Sequence, residues 1–119
     1  MYIQSAQRLV TTPLTIEYDA PYHKLVVNHH IAPLSPKEYE LAIALLRQRQ
    51  QWETAEAKAL LCLSVAQLME ITHIRPQGTL VRHLSNAGIK LAPLGIYIVN
   101  ARTYGYFILF ESEVTSNQT

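Results

Sequence analysis

The rhythm of hydrophobic and polar positions changes as the chain is read from its N-terminus. Over residues 13 to 34, short apolar runs, LTIEY, KLVV and HIAPL, alternate with Asp19-Ala20-Pro21 and Asn28-His29. Those separators are turn chemistry, so the segment predicts an antiparallel β-meander. At LSPKEYELAIALLRQRQ the period lengthens to that of a helix. Ser35 is a natural N-cap, Pro36 suits the first helical position, and Glu38, three residues after the cap, completes a capping box. Tyr39, Ala42, Ile43 and Leu46 then share one apolar face, while Arg47 and Arg49 sit where cations favour a helix C-terminus. The alanine-rich QWETAEAKALLCL extends the helical region, 35–63, with Trp52 expected to anchor it in the core.

A second capping box, Ser64 with Gln67, opens SVAQLMEIT, whose Val65, Leu68, Met69 and Thr72 fall on one side. His73-Ile74-Arg75 makes a tight connection, Pro76 opens a further helix, and Gly88 reads as its stop, so that helix is expected over 76–87. Two short helices joined by a few residues, here 64–87, form a helix-turn-helix. Beyond Pro93 and Gly95 the runs IYIV and YFILF predict a β-hairpin over 96–110, with Asn100 to Gly105 around its tip. Residues 111–119 are a polar tail, expected to be loose at Thr115 to Thr119. The fold class expected for the whole chain, 1–119, is a single α+β domain.

Helix-turn-helix followed by a β-hairpin is winged-helix organisation, and two motifs sharpen the likeness. LSPKEYELAIALL follows a small meander directly, and ARTYGYFIL closes the domain. Together they resemble the OmpR/PhoB-type winged-helix DNA-binding effector domain, whose first helix opens with a similar leucine, Thr or Ser, Pro, x, Glu, aromatic pattern. That family closes its wing with an arginine followed by Gly-Tyr, matched here by Arg102, Gly105 and Tyr106. The resemblance spans most of 13–110 and implies double-stranded DNA as partner, with the second helix of the pair in the major groove and Arg102 of the wing at a minor groove. No receiver domain precedes the motif in this sequence, so the nearer analogy is a stand-alone regulator or an excised effector domain. Leu84-Ser85-Asn86 stands where the family usually carries a leucine-arginine pair with basic residues after it.

Charge changes the picture through its distribution. The net charge is only +1, but residues 71 to 110 contain Arg75, Arg82, Lys90 and Arg102 and no Asp or Glu. A positive field confined to the helix-turn-helix and hairpin suits a polyanion. On the helical period Leu80, Leu84 and Ala87 turn inward with Val81 beside them, leaving Arg75, Gly78, Thr79, Arg82, Ser85 and Asn86 outward. Arginine can bridge guanine, asparagine adenine, and a threonine methyl can touch thymine. Arg82 and Asn86 are therefore the leading base-reading candidates, then Thr79, with Arg75 on the same outward face, Gln77 and His83 at the margins and Arg102 and Tyr104 on the wing. Tyr106 is expected to pack inward, and Gly105 to supply permissive backbone at the turn.

Other chemistry finds less support. At 49% hydrophobic and 16% charged residues the chain reads as a folded globule. The absence of a long uninterrupted apolar run or a secretory leader pattern, with Cys62 as the single cysteine, points to a cytoplasmic protein without disulfides or membrane contact. Cys62 reads as a small core residue. The five histidines show no ligand spacing, so no metal or cofactor is expected. No nucleophile, zinc or phosphate-loop motif is present, and Glu38 is explained by its capping box, so an enzyme is not expected. The competing reading is a protein-interaction module built on the same fold, since fold does not decide function. A homodimer, or a regulatory or transcription-machinery partner, is compatible with either reading.

Overall fold

The computed structural model describes residues 14–52 and 62–118. The expected helical extension beyond α1, over 53–63, lies outside the described residues up to 61, as does the side chain of Trp52; its last two residues, Cys62 and Leu63, are not helical, because Leu63 is drawn into a bridge with Tyr106. Three short strands open the fold: β1 (Ile16–Asp19), β2 (Lys24–Val27) and β3 (His30–Pro33), antiparallel in that order. Ile16 pairs with Val27 across β1 and β2, and Val27 with His30 across β2 and β3. The second connection is a two-residue turn with positive φ at both Asn28 (50°) and His29 (72°). That backbone matches the right-handed twist of its strands, and asparagine tolerates it better than most residues. Leu25, Val27 and Ala32 face the core.

Helix α1 (Pro36–Trp52) begins at the capping box expected for it. The Glu38 amide donates to Ser35 Oγ at 3.2 Å, and the Ser35 amide donates to Glu38 Oε1 at 2.9 Å. The buried face is wider than the apolar stripe in the sequence suggests. Leu41 and Leu45 are fully buried beside Tyr39, Ala42 and Leu46, whereas Ile43 is only partly covered. The reason is position: α1 packs on two further helices and on a strand of the C-terminal hairpin, so little of its circumference meets water. A fully buried leucine contributes about 1.5–3 kcal/mol, which makes this helix the centre of the core.

Helix α2 (Val65–Thr72) carries the second capping box, with Ser64 Oγ accepting from the Gln67 amide at 3.1 Å and Gln67 Oε1 from the Ser64 amide at 2.9 Å. Leu68 and Thr72 are its buried residues, and Val65 and Met69 pack at the edge. Its last turn is closed from outside: Lys37 Nζ donates to the Thr72 carbonyl at 2.6 Å, where a cation meets the negative end of the helix. His73, at φ 61°, turns the chain into helix α3 (Gln77–Leu91), with Pro76 as N-cap rather than first helical residue. The expected stop at Gly88 is wrong. Gly88 has helical backbone, and α3 continues to Leu91, itself fully buried, because only Gly95 at φ 88° gives the left-handed turn that a stop requires.

The C-terminal hairpin pairs β4 (Ile96–Asn100) with β5 (Tyr106–Phe110), Ile96 opposite Phe110 and Asn100 opposite Tyr106. Leu63 joins it by a single antiparallel bridge, exchanging hydrogen bonds with Tyr106 at 2.9 and 2.8 Å. Gly105 lies where this bridge meets the hairpin. A Cβ there would sit 2.2 Å from the Leu63 carbonyl oxygen, so Gly105 serves close approach as well as its φ of 117°. Residues 111–118, expected as a tail that becomes loose at Thr115, form helix α4 (Glu111–Gln118). Its start is held by Glu113, which accepts from the Phe110 amide at 2.8 Å and pairs with Arg49. Cys62 is half-buried rather than in the core, and burial raises its thiol pKa. The architecture is α+β: an N-terminal three-stranded sheet, a helical centre and a C-terminal hairpin. Among the described residues no helix is long and apolar enough to cross a membrane.

Candidate nucleic-acid interface

Helix α3 is amphipathic, and its apolar side is fixed. Leu80, Leu84, Ala87 and Leu91 are buried, so the 3.6-residue period turns Gly78, Arg82, Ser85 and Ile89 directly outward. Asn86 lies exposed on one shoulder and Val81 on the other. Gln77 is exposed at the N-terminal end, and Arg75 is exposed in the connection before it. Gly78, Arg82, Ser85, Asn86 and Ile89 share one surface on the helical period, with Gln77 and Arg75 at its N-terminal end. Arg75, Arg82 and Arg102 make no ion pair within the described part of the chain, and from 71 to 110 no carboxylate opposes them.

Other candidates are placed differently. Thr79 is half-buried, with its amide bonded to the Pro76 carbonyl at 3.1 Å, and the helical period puts it on the flank shared with His83 and Lys90. That flank faces α1. Lys90, part of the positive segment in the sequence, donates from Nζ to Glu38 Oε1 at 2.6 Å and so contributes little to the outward face. His83 is half-buried, and its Nδ1 is enclosed without a hydrogen-bond partner among the described residues. Glu38 itself is only 5% exposed. Burial pushes its carboxyl upward, but the hydrogen bonds from Lys90 and the Ser35 amide, with the charges of Lys90 and His83, outweigh that and hold it below the usual range. The same carboxylate therefore caps α1 and sets the rotation of α3 against it.

At the hairpin tip Arg102 is exposed with φ 55°, a left-handed conformation uncommon for arginine. Its amide is held by Asn100 Oδ1 at 2.9 Å, which leaves the side chain directed by a short turn of 3-10 helix, Arg102–Tyr104. Tyr104 is 61% exposed, whereas Tyr106 is buried, as its alternation with Gly105 predicts. Between α3 and β4 runs an open groove of about 390 Å³, lined on the helix by Val81, Ser85 and Ile89 and on the strand by Tyr97, Ile98 and Asn100. Ile89 is the surface residue that sequence reasoning missed. A helix ended at Ala87 leaves it out, although its spacing of seven from Arg82 puts it on the same face.

Chemically, the surface offers guanidinium groups that make no ion pair among the described residues, a carboxamide, hydroxyls and two exposed aliphatic side chains. Among the described residues no three His, Cys, Asp or Glu side chains gather in the manner of a metal site. Comparison with protein-family models, with curated proteins and with solved structures finds no match to this chain.

Proposed function

We propose that this chain is a winged-helix transcription regulator that reads double-stranded DNA, with α3 in the major groove and the β4–β5 hairpin as the wing at the backbone or adjacent minor groove. The observation that carries the reading is the outward face of α3: Arg82 and Asn86 exposed side by side, without an acidic residue anywhere from 71 to 110. Arg82 and Asn86 are the side chains for base edges, and Arg75 and Gln77 reach base or phosphate at the entry of the helix. Arg102, on a tip held by Asn100, suits the negative potential of a minor groove, with Tyr104 beside it. Thr79 and His83 stand on the flank and are secondary contacts in this arrangement. The order of two helices and a hairpin, with Leu63 bridging β5, supports the winged-helix assignment.

Exposed Ile89 and the groove beside it favour a second reading, a winged-helix protein-docking module. Salt separates the two. Fluorescence anisotropy with a random-sequence duplex should show affinity falling by about 0.9 log unit per tenfold salt for each phosphate neutralised, and selection from the same pool should enrich a motif. Arg82→Ala should weaken the selected site and relax its sequence, while Arg102→Ala should weaken it and lower the salt slope. Absence of binding at low salt, or full affinity in both variants, would remove the DNA assignment.

A further inference from the structure

The outward stripe of α3 is not uniformly polar. Ile89 is 68% exposed and Val81 39% exposed, on a protein whose other leucine, isoleucine and valine side chains on this helix are buried or line the core. Ile89 stands seven residues from Arg82, about 10 Å along the helix axis, a span comparable to the width of a major groove. An aliphatic side chain there gains nothing from phosphate. In a major groove its complement is the C5-methyl group of thymine, the apolar feature that the base edges display. The charge around it selects the same occupant: Arg75, Arg82 and Arg102 make no ion pair among the described residues and no carboxylate lies between 71 and 110, so a polyanion that presents methyl groups fits this face.

Resting on the proposed DNA reading, we infer that α3 reads thymine through methyl contacts made by Ile89 and Val81, in addition to hydrogen bonding by Arg82 and Asn86. The target site therefore carries thymine beside the guanine or adenine contacts, toward the C-terminal end of α3 for Ile89 and toward its N-terminal end for Val81. Removing a methyl without altering any hydrogen-bonding group isolates the effect, because deoxyuridine pairs as thymine does.

The test uses the full chain and the duplex selected from a random pool, with each thymine replaced singly by deoxyuridine. At one or two positions the affinity should fall about fourfold, the factor given by withdrawing one methyl-sized group from burial. In Ile89→Ala or Val81→Ala, both exposed and not needed for the core, the thymine duplex should bind about fourfold more weakly and the corresponding uracil replacement should then change nothing. Salt-dependent binding that ignores every uracil replacement, or a uracil effect that persists in both variants, overturns the methyl readout and leaves the DNA reading standing. If sedimentation shows a DNA-free dimer that Ile89→Ala dissolves, Ile89 covers a second copy and the inference fails. No duplex binding at low salt removes both the inference and the reading beneath it.

Discussion

The two hairpins of this chain solve the same problem with different means. The β2–β3 hairpin turns in two residues, Asn28 and His29, and satisfies itself: Asn28 Oδ1 accepts from the Thr15 amide at 2.9 Å and its own amide donates to the Thr15 carbonyl at 2.9 Å. The β4–β5 hairpin uses a longer tip, places an arginine in left-handed conformation, exposes Tyr104, and presses Gly105 against Leu63. The first turn is explained by the chain's own contacts. The second also makes its own bonds at the tip, but it turns an exposed arginine and a largely exposed tyrosine outward together, so these two side chains are open to whatever meets the tip.

The largest way to break this contrast is Gly105→Ala. The new Cβ would overlap the Leu63 carbonyl and Ser64 Cα, both backbone, in a conformation essentially reserved for glycine that costs alanine about 1–3 kcal/mol before any clash. A loss of more than about 4 kcal/mol is expected, a large share of a small domain's stability, so urea denaturation should find the variant largely unfolded or much weakened. Near-native stability would mean that the Leu63 bridge is not made.

Next in size is Asn28→Ala, which strains a left-handed residue and leaves the Thr15 amide without its acceptor. About 2 kcal/mol should be lost, measured as a lower urea midpoint with unchanged slope. Asn28→Gly should recover the backbone part alone. Were the two variants equal, the left-handed backbone would cost alanine nothing; were Asn28→Gly as stable as the parent, the side-chain bond to Thr15 would carry no weight and the first hairpin would be no more self-sufficient than the second.

The link between the two halves is Glu38, and it gives a pH test. Its folded pKa is depressed, so its contribution to stability is present above the unfolded carboxylate value and is lost as pH falls through the lower folded value. Lys90→Met takes away the strongest of the interactions that lower that pKa and leaves burial, which raises it. About 1–2 kcal/mol should be lost at neutral pH, allowing for the partly exposed lysine. Thermal melts between about pH 7 and pH 3 should show the wild type losing stability over the acid range more steeply than the variant, whose Glu38 no longer gains protons on unfolding to the same degree. Identical pH profiles would mean that Lys90 does not hold Glu38.

The features legible in the sequence are the local ones. Both capping boxes, the Asn28-His29 turn, and the inward Tyr106 depend on residues one to three apart, and each is found as expected. Gly88 misleads because a glycine ends a helix only when its φ turns positive, and that depends on its C-terminal neighbours: Lys90 and Leu91 both find partners across the core side, so the helix runs on. Lys90 reads as part of the positive surface because Glu38, which holds it, lies 52 positions away. Glu113 reads as part of a tail because its partner Arg49 is 64 positions away. Exposure of Ile89 is hidden by the misplaced stop, and the second role of Gly105 by the remoteness of Leu63 in the chain.

Arg102→Gly separates strain from purpose at the hairpin tip. Glycine adopts φ 55° without the penalty an L-residue meets, although it gives up more entropy on folding, so the net effect should be a gain of about 1 kcal/mol or less. Under the proposed function the same change should weaken duplex binding and lower its salt dependence by about one phosphate equivalent. Stability and affinity moving in opposite directions is the signature of a residue kept for a partner. A loss of stability instead would place Arg102 with Asn28, as a residue the turn itself needs.

The smallest effect is expected at Gly78, and it tests the same distinction on the helix. Its backbone is helical, and a Cβ added there meets no atom within 4 Å, so nothing in the fold asks for glycine. Alanine in a helix is favoured over glycine by about 0.5–1 kcal/mol, and Gly78→Ala should raise the melting temperature accordingly. The residue sits in the first turn of α3, on the outward stripe with Arg82, where a phosphate or base edge would come closest to the backbone. Gly78→Ala should therefore bind the selected duplex more weakly while folding more firmly, and Gly78→Leu should bind more weakly still with stability near that of alanine. If both variants bind as the parent does, the N-terminal turn of α3 does not approach the duplex closely, and the contacts to DNA must be centred nearer Arg82 and Ile89.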